Sequence, residues 1–222
     1  MRTSLKAEVL PLFSSPVYVC EDTTMPNIIS DIEGMDYNHR PMQGGQTVSM
    51  NVLDKLPEFK NWLMYHIEEY VYGVMGIDNT CHSLHITCSW INKHKHLDKS
   101  HDHSHRNSMF SGIVYLQTHE NCGDLQFLDQ SYYMVSPRIR QHNLYNSKQW
   151  TITPTDGMVV MFPSSLVHTV QQNRVMRERY SLAYNVFVKG DFGNPTSFLS
   201  LRPHHYSFRS QFHWKLETFL KH

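Results

Sequence analysis

The sequence predicts a mainly β domain flanked by helices, a helix-flanked β-sandwich or barrel, and three observations predict it. A single long stretch with helical spacing lies near residue 60. Six short runs rich in β-branched and aromatic residues then follow between residues 83 and 188, each bounded by turn signals. No internal repeat, low-complexity tract or linker divides the 222 residues, so one domain spanning 1–222 is expected. Helix first and many short strands after is the order of a sheet-on-sheet or barrel core with helices laid against it.

The elements follow in chain order. "EVLPLFSSPVYVC" (8–20) reads as one or two short strands interrupted by Pro11 and Pro16. A polar, Gly- and Pro-containing loop is expected to about residue 48. In "DKLPEFKNWLMYHIEEYVYGVMG" (54–76), Leu56, Phe59, Trp62, Leu63, His66, Tyr70 and Val71 recur at helical spacing, with Gly73 and Gly76 to close the helix. The strand runs are "SLHITCSWIN" (83–92), "FSGIVYLQ" (110–117), "DLQFLD" (124–129), "QWTITP" (149–154), "MVVMFP" (158–163) and "YSLAYNVFV" (180–188). "ENCGD", "PTDG" and "FPSS" supply turns between them. The tail 204–222 places Phe208, Phe212, Leu216, Phe219 and Leu220 at helical spacing, predicting a C-terminal helix. The β core is therefore expected at about 83–190.

Composition narrows the function. Lys+Arg and Asp+Glu are both 20, so the formal charge of zero gives no general electrostatic grip on nucleic acid or on an anionic membrane. No stretch approaches the roughly 18 apolar residues of a membrane-spanning helix, and the N-terminus lacks an apolar signal core. Cys20, Cys81, Cys88 and Cys122 form neither a C-x-x-C pair nor a disulfide framework, so a reducing cytoplasm is expected. Histidine, at 16, stands out.

The histidines concentrate in "DKSHDHSHRNSMFSGIVYLQ" (98–117), with His94 and His96 just upstream. In an extended segment alternate side chains share a face, so any adjacent pair among His101, His103 and His105 could grip one ion. Imidazole suits Fe, Zn, Cu and Ni. A further ligand must then come from elsewhere, and "TDGMVVMFPSSLVHTV" (155–170) offers His168, after a Pro-Ser-Ser turn, at the start of a strand. Downstream, "RERYSLAYNVF" puts Arg179 and Ser181 on one side of a strand. A buried arginine is unfavourable without an anion. No acidic partner stands out in the sequence, and a bound carboxylate is a candidate.

These segments carry a resemblance. "SWIN", "HSHRNSMFSGIVYL", "CGDLQFLD", "TPTDGMVVMFPSSLVHTV" and "RYSLAYNVF", in that order, resemble the 2-oxoglutarate/Fe(II)-dependent dioxygenase superfamily. More narrowly they are similar to a group of its oxygenases frequent in bacteriophages and marine bacteria, whose start also resembles "LFSSPVYV". The resemblance covers about residues 12–188. It implies a double-stranded β-helix, a cupin-like jelly roll whose open end holds the iron. By alignment on "SGIVYL", it puts the first two ligands on His103 and His105 and the third on His168. It implies that Arg179 pairs with the distal carboxylate of 2-oxoglutarate, helped by Ser181 and by the Tyr115 hydroxyl. Fe(II) and 2-oxoglutarate are the implied cofactors, and hydroxylation of a substrate C–H with release of succinate and CO2 the implied activity. The superfamily's usual H-x-D or H-x-E becomes His-Ser-His here. A true H-x-D, His96 and Asp98, occurs seven residues too early, and His103/His105 is preferred over it and over His101/His103.

Two other functions compete. One is a cupin-like Zn or Ni hydrolase or isomerase without 2-oxoglutarate, which would have no use for a deep carboxylate anchor at Arg179. The other is a non-catalytic structural jelly roll with decorative histidines. The expected partner is a small-molecule or peptidyl substrate, with a homodimer as the expected assembly and the host cytoplasm as the site of action for a phage protein. The polar, aromatic segment 130–150 is either a lid or a plain surface excursion.

Overall fold

In the computed structural model, residues 8–131, 135 and 137–201 are described, and the helix expected at 204–222 lies outside them. The chain runs β1 (Tyr18–Glu21), α1 (Ile29–Glu33), β2 (Tyr37–Arg40), β3 (Gly44–Thr47), α2 (Pro57–Glu68), β4 (His82–His94), β5 (Phe110–Gln117), β6 (Leu125–Leu128), β7 (Gln149–Ile152), β8 (Met158–Pro163), β9 (His168–Val170), β10 (Arg179–Phe192) and β11 (Leu199–Ser200). The major sheet has the order β1-β8-β5-β10-β4-β3-β2, with β11 paired to β10, and the minor sheet has the order β7-β6-β9. The ladders between these strands are antiparallel throughout.

The six strand runs read from the sequence all form, two of them (β5 and β8) with the expected bounds. The first region differs. Of residues 8–20 only the last three join a strand, because Pro11 and Pro16 cannot donate to a ladder and the ladder with β8 starts at Tyr18. The expected loop before residue 48 contains α1 and the β2–β3 hairpin. These elements are four or five residues long, too short for periodicity to reveal. The 54–76 helix exists but is composite: a 3-10 turn (Val52–Lys55), then α2 with Pro57 in its first turn, then a π-helical stretch (Glu69–Val74).

Two apolar clusters lie on opposite faces of the major sheet. On the helix side, Phe59, Leu63 and Ile67 of α2 pack with Ile91, Val114, Val159, Leu182 and Tyr184. Full burial of each such aliphatic or Phe side chain contributes about 1.5–3 kcal/mol. His66, buried on α2, is satisfied within this layer: Tyr18 Oη hydrogen-bonds Nδ1 at 3.0 Å, and Nε2–H donates to Asp22 Oδ2 at 3.1 Å. That pair ties β1 to α2. On the other side Ile113, Tyr115, Leu125, Phe127, Met158, Val160, Phe162 and Val170 fill the space shared with the minor sheet.

One irregularity sets which side chains of β4 face that second interior. Asn185 pairs with Cys88 and Val186 with Ile86, so Thr87 is an extra residue in β4. This β-bulge reverses the alternation of the strand. Ile86 packs toward the helices, whereas Trp90, Asn92 and His94 beyond the bulge line the cavity on the opposite side. The Thr87 hydroxyl donates to the Asn185 carbonyl at 3.3 Å and braces the bulge.

Candidate metal centre

The histidine tract runs extended along β9. His103 and His168 exchange backbone hydrogen bonds, N–H to carbonyl, at 2.9 Å in both directions. His105 N–H donates to the Ser164 carbonyl at 2.9 Å in the Pro163–Ser164–Ser165 turn. This ladder turns the side chains of His103 and His105 toward that of His168. A ring nitrogen from each of the three falls within 4.8 Å of the others. No Asp or Glu joins that group among the described residues.

The ring tautomers follow from their neighbours. His103 Nδ1 hydrogen-bonds the His101 carbonyl at 2.7 Å, and His168 Nδ1 hydrogen-bonds the Leu166 carbonyl at 3.0 Å. A carbonyl can only accept, so Nδ1 carries the proton in both rings and Nε2 presents its lone pair. A backbone carbonyl orienting one ring nitrogen while the other faces the ion is the usual support of a metal-bound histidine. Burial pushes the His168 pKa down to about 3 and the His105 pKa down to about 4, so both rings are neutral at pH 7. Phe162 meets the His168 ring edge-on at 4.7 Å between centroids and, with Phe127, walls it with apolar surface. Three imidazoles, each offering a ring nitrogen, can hold one divalent ion such as iron.

The other histidines do something else. Asp98 Oδ2 accepts the backbone N–H of Lys95 at 2.8 Å, which makes the early H-x-D a turn, and neither His96 nor Asp98 joins the cluster. His101 contributes its carbonyl to His103 rather than a ring nitrogen to the cluster.

Arg179 begins β10 and is 1% exposed. Its Nη1 donates to the carbonyls of Cys122 and Gly123, both at 3.0 Å, and Nη2 donates to Nδ1 of His94. All three acceptors are neutral, and among the described residues no carboxylate pairs with it. The guanidinium has five donors, so two remain, and Nε is one of them. The buried hydroxyl of Tyr115 is also without a partner. Ser181, on the same face of β10 as Arg179, sits between Tyr115 of β5 and Asn92 of β4. A charged fork with spare donors and an unused phenol nearby is a setting that a ligand carboxylate fits.

Residues 88–185 match a family described as "Putative 2OG-Fe(II) oxygenase". Residues 88–185 form a 2OG-Fe(II) oxygenase domain. Oxygenases of this family are oxidoreductases that use Fe(II) and 2-oxoglutarate, which are the cofactors of this domain.

Similarity among solved structures is in fold. HygX from Streptomyces hygroscopicus, solved with nickel, 2-oxoglutarate and hygromycin B, is similar with a TM-score of 0.52 at 11% identity, over 78% of this chain and 82% of that one. The α-ketoglutarate-dependent carbocyclase SnoK of nogalamycin biosynthesis gives 0.50 at 13% identity, over 70% of this chain and 69% of that one. A 2OG-Fe(II) oxygenase-family oxidoreductase from Burkholderia pseudomallei is a looser likeness, with a TM-score of 0.43 and 15% identity over 77% of this chain. This chain spans 65% of that protein's length. Among curated proteins none matches the sequence. The oxygenase fold is the jelly roll expected from the sequence.

Two features of the oxygenase site go beyond the residues predicted. His94 is buried between Arg179 and the β2–β3 hairpin, with one ring nitrogen accepting from Arg179 and the other bonded to the Gln43 backbone. Burial, then the neighbouring guanidinium, pushes its pKa down to about 3, so the imidazole stays neutral and acts as an acceptor for Arg179. The two-residue spacing from Trp90 through Asn92 to His94 was the available signal. A chain of hydrogen bonds also runs behind the triad: Asn185 Nδ2 donates to Cys88 Sγ at 3.2 Å, and Ser111 Oγ donates to Asn185 Oδ1 at 2.8 Å. Ser111 Oγ also meets Ser164 Oγ at 2.8 Å, in the residue whose carbonyl holds His105. The cavity at the triad measures about 330 Å³. A larger one of about 550 Å³, lined by Leu144, Trp150, Phe127 and Val19, lies along the 130–150 segment on the far side of Phe127.

Proposed function

We propose that this oxygenase hydroxylates a C–H bond of a small-molecule or peptidyl substrate and releases succinate and CO2. In this reading His103, His105 and His168 hold Fe(II), and Arg179, Ser181 and Tyr115 hold 2-oxoglutarate. The observation that carries it is a fully buried arginine with only neutral partners behind a cluster of three imidazoles. With both cofactors bound, the centre supplies oxygen activation coupled to decarboxylation of 2-oxoglutarate.

The protein's own groups bind, orient and exclude water. The carbonyls of His101 and Leu166 fix the Nε2 lone pairs of His103 and His168 toward the ion. Arg179, held by two carbonyls and His94, points its remaining donors at a carboxylate without reorganising. Phe127 and Phe162 keep the His168 side dry. An all-imidazole set also suits zinc, which favours the hydrolase reading. That reading leaves the uncompensated Arg179 without a purpose.

The whole chain is read as one domain acting in the cytoplasm, that of the host if the protein is phage-encoded, with a homodimer as the assembly to test. Four free cysteines fit a reducing compartment, and no helix among the described residues is long and apolar enough to cross a membrane. Calorimetric titration of 2-oxoglutarate into the manganese-loaded protein tests the function. Arg179→Lys keeps the charge but loses the fork. It should weaken binding by about 1.5–3 kcal/mol, roughly ten- to a hundredfold in Kd, and His168→Ala should abolish metal binding. Absence of 2-oxoglutarate binding by the wild type, or equal binding by the lysine variant, would sink the assignment.

A further inference from the structure

The charge at the mouth of this site is one-sided. A metal centre with one carboxylate and two imidazoles cancels one of the two charges of its ion, whereas three imidazoles cancel none. Arg179 adds a buried positive charge that no carboxylate among the described residues pairs with directly, Asp124 acting on it only from beyond ion-pair distance. Doubly charged 2-oxoglutarate therefore leaves the loaded centre with a net positive charge where a carboxylate-containing triad would be neutral. Such an excess raises the local concentration of oppositely charged ligands at the cavity.

The walls extend the same imbalance. None of the residues lining the cavity of about 330 Å³ is acidic, and Arg40 is the one Arg or Lys among them. Arg40 ends β2 at the cavity rim, is exposed, and forms no ion pair among the described residues. Its position is built rather than loose. Arg40 pairs with Gly44 across the hairpin, and β3 pairs with β4 through Gly45 and Gln46. A Cβ on Gly44, at φ +83°, would lie 2.3 Å from the His94 ring, so the hairpin can press on His94 only because a glycine stands there. Around Arg40 the wall offers the amide side chains of Asn38, Gln43, Gln46 and Asn92. Of the acids nearest in sequence to the triad, Asp98 accepts the Lys95 amide, and Asp102 lines an adjoining groove with Lys99 and Arg174 rather than the cavity itself.

We infer that the substrate is a small molecule carrying an anionic group, carboxylate or phosphate, which Arg40 receives at the rim while the reacting carbon faces the metal. This rests on the oxygenase reading above and names its substrate class. The test uses three probes of one size and three charges, benzoate, benzamide and benzylamine, titrated into protein saturated with manganese and 2-oxoglutarate. Quenching of Trp90, which lines the cavity, reports binding. Benzoate should bind at least tenfold tighter than benzamide, with benzylamine weakest, and Arg40→Glu should erase the difference. Equal or tighter binding of benzamide or benzylamine, or benzoate affinity unchanged in Arg40→Glu, overturns the inference and leaves the oxygenase assignment standing. Failure of the wild type to bind 2-oxoglutarate in the loading step overturns both.

Discussion

The two faces of β10 share one backbone and do opposite things. Tyr180, Leu182, Tyr184, Val186 and Val188 face the helices and form apolar core. Arg179, Ser181 and Asn185 face the other sheet and supply a cation, a hydroxyl and an amide to the oxygenase interior, all nearly as buried. Alternation of apolar and polar residues usually marks a strand with one wet face. Here both faces are dry, and under the proposed function the polar one is polar because 2-oxoglutarate takes the place of water there. Burial alone therefore does not separate core from site, whereas the partners of the buried polar atoms do.

Substitutions on each face sharpen this contrast. The largest effect on stability belongs to the helix-side face: Leu182→Ala should cost about 2–5 kcal/mol, the range for truncating a buried leucine. Urea unfolding would report it, and metal stoichiometry measured at low temperature should not change. Loss of metal in that variant would mean the two faces are not separable. On the inner face, Ser111→Ala strands Asn185 Oδ1 and removes the partner of Ser164 Oγ. A cost of about 1–3 kcal/mol is expected from one unsatisfied buried acceptor, together with weaker cobalt binding, since Ser164 also holds His105. Unchanged cobalt affinity would reduce this network to packing.

The smallest effect concerns pH. His94 has its pKa pushed down from an ordinary 6.5 to about 3, so the folded state keeps it neutral while the unfolded chain takes up a proton. Its contribution to stability is whole above about pH 6.5 and is lost as pH falls toward 3. One such proton gives a slope of about 1.4 kcal/mol per pH unit. His94→Asn, which can still accept from Arg179, should flatten the fall in stability between pH 6 and 4 by about that much. His66, His105 and His168, depressed in the same direction by burial, would continue to contribute to it. An identical slope in the variant would show that His94 titrates normally.

Much of the fold and the histidine cluster was legible in the sequence because strands and candidate ligands here obey simple periods. His103 and His105 alternate, the six β-rich runs are bounded by turns, and Arg179 and Ser181 are two apart on one strand. What was not legible has physical causes. The β2–β3 hairpin is built on "GGQT", which has no apolar alternation, and its role comes from contact with His94 rather than from propensity. In segment 130–150 the aromatics Tyr145 and Trp150 line a groove instead of a core, so composition there could not say which surface they face. His94 was hidden among neighbours that look alike: only the fold separates it from His96 and His101.

Thr87 adds a final consequence. Because one extra residue reverses the alternation of β4, the length of that strand stores a parity, and the site depends on it. Removing Thr87 would leave every neighbouring residue type in place. It would nonetheless exchange the faces of the strand on one side of the deletion, sending Trp90, Asn92 and His94 toward the helices or Leu84 and Ile86 toward the metal pocket. Families descended from such a sequence can drift in side chains along β4, but a single-residue insertion or deletion between residues 84 and 94 has to be matched by another nearby. Gap placement in an alignment of relatives should therefore avoid this strand even where its residues diverge.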